Sequence, residues 1–197
     1  MNALTTYPIE ALVSPKESTV AEPEQSLLQA ALAGNGRAFS NLVRPHLPVL
    51  YRITSRCCGD PELAEDAVQE ALVLAYKRLA KLRPDCTFRA FLCGIAAKRA
   101  RTLLRSETRR RQREKKAAAP EALPTPEQNV AAEALAARIR GALAALPAKR
   151  QEAAILRLDA GLGYAEIATL LGSSVDSTRV LVHLAVKDLK AQLGGEL

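Results

Sequence analysis

RPDCTFRAFLCGIAAKRARTLLRSETRRRQREKK, residues 83–116, decides how the rest of the chain is read. A short turn, Arg83 to Thr87, leads into a run where Phe88, Phe91, Leu92, Ile95, Ala96, Ala100, Leu103 and Leu104 recur at intervals of three and four. That is the spacing of one face of an α-helix. Lys98, Arg101, Arg105 and Arg109 fall on the opposite side. From Lys98 to Lys116, ten Lys or Arg accompany only Glu107 and Glu114, whereas the remaining chain has 18 basic against 19 acidic side chains. The net charge of +7 therefore sits on one element that also has an apolar anchor, which suits a surface gripping a polyanion. Beyond its core-facing part this helix is expected to fray.

Composition points to helices throughout. Hydrophobic residues make up 48% of 197, with Ala and Leu dominant, Trp absent, and no convincing period-two alternation. That length accommodates two small helical domains. No apolar run reaches the roughly 20 residues needed to cross a bilayer, and the N-terminus lacks a basic region followed by an apolar one, so a cytoplasmic protein without membrane insertion is expected. Cys57, Cys58, Cys86 and Cys93 include an adjacent pair and no CxxC, which signals neither a disulfide framework nor a zinc site; buried free thiols are the plainer reading. His46 and His183 have no partner ligands spaced around them, so no metal is expected.

Working outward from the basic helix, the expected organisation is a disordered leader over 1–22, a first helical domain over 23–116, a linker over 117–126, a second helical domain over 127–193, and a tail over 194–197. A short helix with Leu27, Leu28, Ala31 and Leu32 stops at Gly34-Asn35-Gly36. One longer helix from about Arg37, kinked at Pro45 and Pro48, runs to the break at Gly59. Asp60-Pro61 reads as an N-cap with proline at the first helical position, opening a helix to about Leu82 whose first half is crowded with Glu62, Glu65, Asp66, Gln69 and Glu70. Pro120, Pro124 and Pro126 mark the linker. An alanine-rich helix then turns Ala134, Leu135, Ile139, Ala142 and Leu143 inward, and another carries Ala154, Ile155 and Leu158. Last comes a helix-turn-helix: Tyr164 to Leu171, a turn at Gly172-Ser173-Ser174, and Val175 to about Leu193.

In this order and spacing the motifs resemble a known family. Ala38-Phe39, Leu42-Val43, Leu50-Tyr51, Gly59-Asp60-Pro61 and Ala64-Glu65-Asp66-Ala67-Val68-Gln69-Glu70 resemble domain 2 of the sigma-70 family, in its extracytoplasmic-function group. Phe88-Arg89-Ala90-Phe91-Leu92 with Ile95-Ala96 resembles that family's promoter-entering segment. Ala145-Leu146-Pro147, Tyr164-Ala165-Glu166-Ile167-Ala168 and Leu171-Gly172 resemble its domain 4.

The resemblance implies an all-α, two-domain factor that binds core RNA polymerase and directs it to promoters, with no catalytic residues and no cofactor. Asp66, Gln69 and Glu70 would meet the polymerase clamp helices, and domain 4 its flap. Arg83, Asp85, Thr87, Arg89, Lys98, Arg99, Arg101 and Arg105 would serve minus-ten reading and melting. Ser174, Ser177, Arg179, His183 and Lys187 would face the minus-thirty-five duplex. An anti-sigma factor is an implied partner. Lys98 and Thr102 stand where the family often has Asn and Asp, and Tyr76 and Phe91 where it commonly has Trp. Val180, Leu181, Leu184 and Val186 replace the Arg and Lys usual on the last helix. Two other readings stay open at this point: a helix-turn-helix regulator acting on duplex DNA without polymerase, and an interaction protein docking through that apolar helix.

Overall fold

The computed structural model describes residues 22–117 and 130–194. Residues 1–21, 118–129 and 195–197, which take in nearly all of the expected leader, linker and tail, lie outside the described residues. Among the described residues every regular element is helical: α1 (Glu22–Leu32), α2 (Gly36–Val43), α3 (Leu47–Cys58), α4 (Pro61–Lys77), α5 (Phe88–Ala117), α6 (Val130–Ala145), α7 (Ala148–Leu158), α8 (Tyr164–Leu171) and α9 (Val175–Leu193), with short 3-10 turns at Arg44–His46 and Leu79–Lys81.

Local chemistry explains the boundaries. Asn35 caps α2, its side chain accepting from the N–H groups of Arg37 (3.0 Å) and Ala38 (3.1 Å). Asp60 caps α4 by accepting from the Leu63 N–H at 3.1 Å, with Pro61 at the position where a missing N–H costs nothing. The single kinked helix expected from Arg37 to Gly59 is instead two helices. Pro45 offers no N–H to the turn before it, and a 3-10 turn takes up the break between α2 and α3. The helix expected to reach Leu82 ends at Lys77. The basic helix, expected to fray beyond its core-facing part, is α5, which spans 30 residues to Ala117, about 45 Å of helix.

The first core is built where α3, α4 and α5 meet. Leu50 and Ile53 from α3, Ala67, Val68 and Ala75 from α4, and Leu92, Cys93, Ala96 and Ala100 from α5 are all almost wholly buried. The small residues let the helices approach closely while Leu, Ile and Val supply the apolar area. All four cysteines are buried free thiols, and burial pushes Cys57 and Cys93 up to about 12 and Cys58 to about 11, as suits side chains used as small hydrophobes.

The second core joins α7, α8 and α9 through Ala153, Ala154, Ile155, Leu156, Leu162, Ile167, Val182, Ala185 and Leu189. On α6, Ala142 and Leu143 are buried as expected, but Ala134 and Leu135 are exposed, Leu135 by 44%, and so is Leu158 on α7. An alanine-rich helix has too little contrast between its faces for periodicity to orient its ends.

The two helical units touch along α5, which packs against α7 and α8 as well as α3 and α4. Gly94 allows the approach: a methyl group there would come within 2.9 Å of the Leu170 side chain on α8.

Candidate nucleic-acid interface

Each group of sequence-expected residues can now be placed. Asp66, Gln69 and Glu70 are exposed on α4, on the side away from Ala64, Ala67, Val68 and Ala71, which face the core. Val73, 55% exposed, and Tyr76, 41% exposed, continue that surface one and two turns further along. The result is an acidic strip with an apolar end. Glu70 is shared, because Arg99 on α5 pairs with it.

The loop before α5 is held by its own charges. Arg83 grips Asp85 with two hydrogen bonds, Nε to Oδ1 at 3.0 Å and Nη2 to Oδ2 at 2.9 Å, both side chains remaining more than half exposed. Thr87 opens the helix by accepting from the Ala90 N–H at 3.1 Å. Around this end Phe88 stacks edge-on against Phe39 at 6.3 Å between ring centres, and Phe39 meets Tyr76 at 5.0 Å. His46 lies 5.8 Å from the Phe88 ring, its pKa lowered by burial and by the nearby Arg89 guanidinium.

Along α5 the cations separate into two sets. Lys98, Arg105 and Arg109 are exposed. Arg89 and Arg101 instead reach the second domain: Arg89 Nη2 donates to the Ala160 carbonyl, and Arg101 donates to the Ala148 carbonyl at 2.9 Å and pairs with Glu152 at 2.7 Å. Thr87 Oγ1 likewise donates to Glu166 at 2.7 Å. The sequence reading grouped Arg89 and Arg101 with the other cations, and their protein partners are what it missed.

Two more arginines of α3 join this contact. Arg52 Nε donates to the Asp159 carbonyl at 2.8 Å, and Arg56 Nε to the Asp159 carboxylate at 3.1 Å. Asp159 is 8% exposed; burial raises its pKa, with Arg56 pulling the other way. Partners more than a hundred residues apart leave no periodic trace in a sequence.

The helix-turn-helix forms as expected. Gly172 takes a left-handed backbone (φ +60°) that ends α8, and Ser174 caps α9 by accepting from the Ser177 N–H at 3.1 Å. Thr178, fully buried, bonds back to the Ser174 carbonyl at 3.0 Å and locks the turn. Ser174, Ser177, Arg179, His183 and Lys187 are all exposed, the last three at four-residue steps along one side of α9. Arg179 pairs with Asp176 at 3.0 Å and lies 5.8 Å from the Tyr164 ring centre. Val180 between them is 56% exposed.

Nothing in this arrangement resembles a nucleophile with its base, and no cluster of three or more potential metal ligands occurs among the described residues. No helix of the described residues is long and apolar enough to cross a membrane.

Comparison with known proteins adds the family. Models of sigma-70 region 2 and sigma-70 region 4 match residues 42–110 and 136–189. The RNA polymerase sigma factor CnrH of Cupriavidus metallidurans is 31% identical over 89% of this chain and 96% of its own length. The ECF RNA polymerase sigma factor SigD of Mycobacterium tuberculosis is 30% identical over 92% of this chain and 89% of its own. Among solved structures, CnrH in complex with the cytosolic domain of CnrY superposes with a TM-score of 0.67 at 26% identity, covering 89% of this chain and all of that one. The chain belongs to the sigma-70 family, as an RNA polymerase sigma factor of the extracytoplasmic-function type whose two helical domains carry the family's regions 2 and 4.

Proposed function

We propose that this sigma factor binds core RNA polymerase through the acidic strip of α4 and delivers promoter DNA to the basic face of α5. The observation that carries the reading is the opposition of charge on two helices packed together. Asp66, Gln69 and Glu70 stand exposed on α4, and Lys98 and Arg105 stand exposed on α5, both helices fixed by one core. An acidic, partly apolar strip fits a basic helical partner such as the polymerase clamp, and a row of cations fits phosphates exposed by strand separation.

Roles within that division follow the chemistry of each residue. Arg83, Asp85 and Thr87 form the loop that reads a base of the melted minus-ten strand, while Arg89, Lys98, Arg99, Arg101 and Arg105 hold its backbone. Ser174, Ser177, Arg179, His183 and Lys187 set α9 against the minus-thirty-five duplex. Residues 23–116 act as the polymerase-binding and melting domain, 117–126 as linker, and 127–193 as the duplex-reading domain, which also meets the polymerase flap. The bond-forming chemistry belongs to polymerase, so the chain works without a catalytic residue or cofactor, in the cytoplasm where polymerase and promoter DNA are found. CnrH forms a complex with the cytosolic domain of CnrY, which supports a protein partner for this chain as well, and we assign that role to an anti-sigma factor.

Run-off transcription with core polymerase on a pool of genomic promoter fragments tests the proposal. The chain should make core enzyme initiate at a small, reproducible set of start sites. Duplex binding by the chain alone, with no effect on core enzyme, would replace this reading with that of a polymerase-independent regulator.

A further inference from the structure

Around α9 the buried side chains of Thr178, Val182, Ala185 and Leu189 define the side turned to the second core. At about 100° per residue, the opposite side carries Asp176, Val180, His183 and Lys187, all of them exposed. Val180 stands near the middle of that outward side, 56% exposed, in the second turn after the Ser174 cap. A helix lying in the major groove meets base edges with the residues of its first turns. The side chain best placed for a base in α9 therefore has no hydrogen-bonding group. Its polar neighbours are engaged within the protein: Arg179 pairs with Asp176 at 3.0 Å and lies 5.8 Å from the Tyr164 ring centre. The Ser177 hydroxyl accepts from the Ser174 hydroxyl at 2.9 Å.

Base edges in the major groove offer one apolar group, the C5 methyl of thymine. A guanidinium at position 180 would select guanine through O6 and N7, and a side-chain amide would select adenine. A branched aliphatic side chain can do neither, and it gains only by covering a methyl. Valine in a helix strongly prefers one χ1 rotamer, so little side-chain entropy is lost when it docks. We propose, on the duplex-facing role given to α9 above, that Val180 selects thymine in the minus-thirty-five element by covering its C5 methyl. His183, Lys187 and the capped start of α9 fix the helix against the flanking phosphates. Val180 also edges an open groove shared with Lys149, Leu171, Ser177 and Leu181, where a protein segment is the competing occupant. The imidazole and ammonium groups on the same outward side favour the polyanion.

The test uses holoenzyme reconstituted from the full chain and core polymerase. A promoter pool randomised over the minus-thirty-five region is selected for binding, and each thymine of the enriched site is then replaced singly by deoxyuridine. That exchange removes one methyl and leaves every hydrogen-bonding group in place. With the unaltered chain, uracil at one or two positions should weaken binding about fourfold, the worth of one buried methyl. Val180→Ala should bind the thymine duplex about as weakly as the unaltered chain binds the uracil duplex, and should distinguish the two by less than about twofold. Val180→Arg should move the selected base at that position to guanine. Circular dichroism melting of both variants should match the unaltered chain, because the side chain lies outside the core.

An enriched site whose thymines all tolerate uracil, or a Val180→Ala holoenzyme that keeps the full discrimination, would overturn the inference and leave the sigma-factor reading intact. Weaker binding of Val180→Ala to core polymerase, with discrimination unchanged, would also overturn it and assign Val180 to a protein contact. A pool with no enriched minus-thirty-five sequence would remove the inference together with the duplex-reading role of α9. An unaltered chain that directs core enzyme to no promoter at all would instead sink the sigma-factor reading itself.

Discussion

The two helices proposed to face DNA are built on opposite plans. Over 30 residues α5 carries eleven Lys or Arg against two Glu, and its inner side is locked into the first core by Leu92, Cys93, Ala96 and Ala100. Over 19 residues α9 carries three Lys or Arg against two Asp, with Val180 exposed among its polar side chains. Arg179, the first of its cations, already has Asp176 as a partner. Under the proposed roles, the difference assigns grip to α5 and placement to α9. A dense row of cations gives sequence-independent, salt-sensitive affinity, whereas hydroxyls, an imidazole and a capped helix start give orientation and little Coulombic attraction.

The comparison can be broken most severely at the anchor of α5. Leu92 is 1% exposed, and Leu92→Ala should destabilise the first domain by about 2–5 kcal/mol, read as a lower thermal or urea midpoint. A loss below about 1 kcal/mol would mean that α5 is not fixed to its domain as described.

Next in size is the strip that should leave DNA contact untouched. Asp66→Arg reverses a charge on the exposed face of α4 and should weaken binding to core polymerase by tens of fold, about 2 kcal/mol, measured by competition against a second sigma factor. Its affinity for single-stranded DNA should not fall. Asp66 is the cleaner choice over Glu70, because Glu70 also pairs with Arg99.

On the α9 side, Ser174→Ala removes the cap on the Ser177 N–H and should cost about 1 kcal/mol of stability, observed as a loss of helix by circular dichroism and a lower melting midpoint. Ser174→Gly should cost only a few tenths, since glycine is tolerated at this position.

The smallest effect is on pH. His46 has its pKa lowered from the ordinary 6.5 by burial and then by Arg89. The unfolded chain therefore binds the proton more readily than the folded one, and stability that is fully present above 6.5 is lost as pH falls through that value toward the lowered one. Unfolding titrations should show this slope, and His46→Gln should flatten it.

Much of this organisation was legible in residues alone. Asp60-Pro61 announced the start of α4, and Gly172-Ser173-Ser174 the turn between α8 and α9, because capping and left-handed backbone depend on local chemistry. The apolar spacing from Phe88 to Leu104 announced α5. What stayed hidden has separate causes. Proline at position 45 breaks the helix outright where a kink was expected, the alanine-rich α6 has too little contrast between its faces to orient Leu135, and the pairing of Arg56 with Asp159 joins segments more than a hundred residues apart. Charge counting correctly located the positive face, but it could not tell that Arg89 and Arg101 point into the second domain while Lys98 and Arg105 do not.

The measurement that bears most directly on the account is the salt dependence of open-complex formation by reconstituted holoenzyme. It should be made for the unaltered factor, for Lys98→Ala with Arg105→Ala, and for Arg179→Ala with Lys187→Ala. The α5 pair should keep normal binding to core enzyme while losing about tenfold in promoter opening, with the log–log salt slope shallower by about 1.4 for two single-strand phosphate contacts. The α9 pair should change the slope by less than half as much. An α9 pair whose slope falls as far as that of the α5 pair, or an α5 pair that opens promoters normally, would contradict the assignment of the DNA grip to α5.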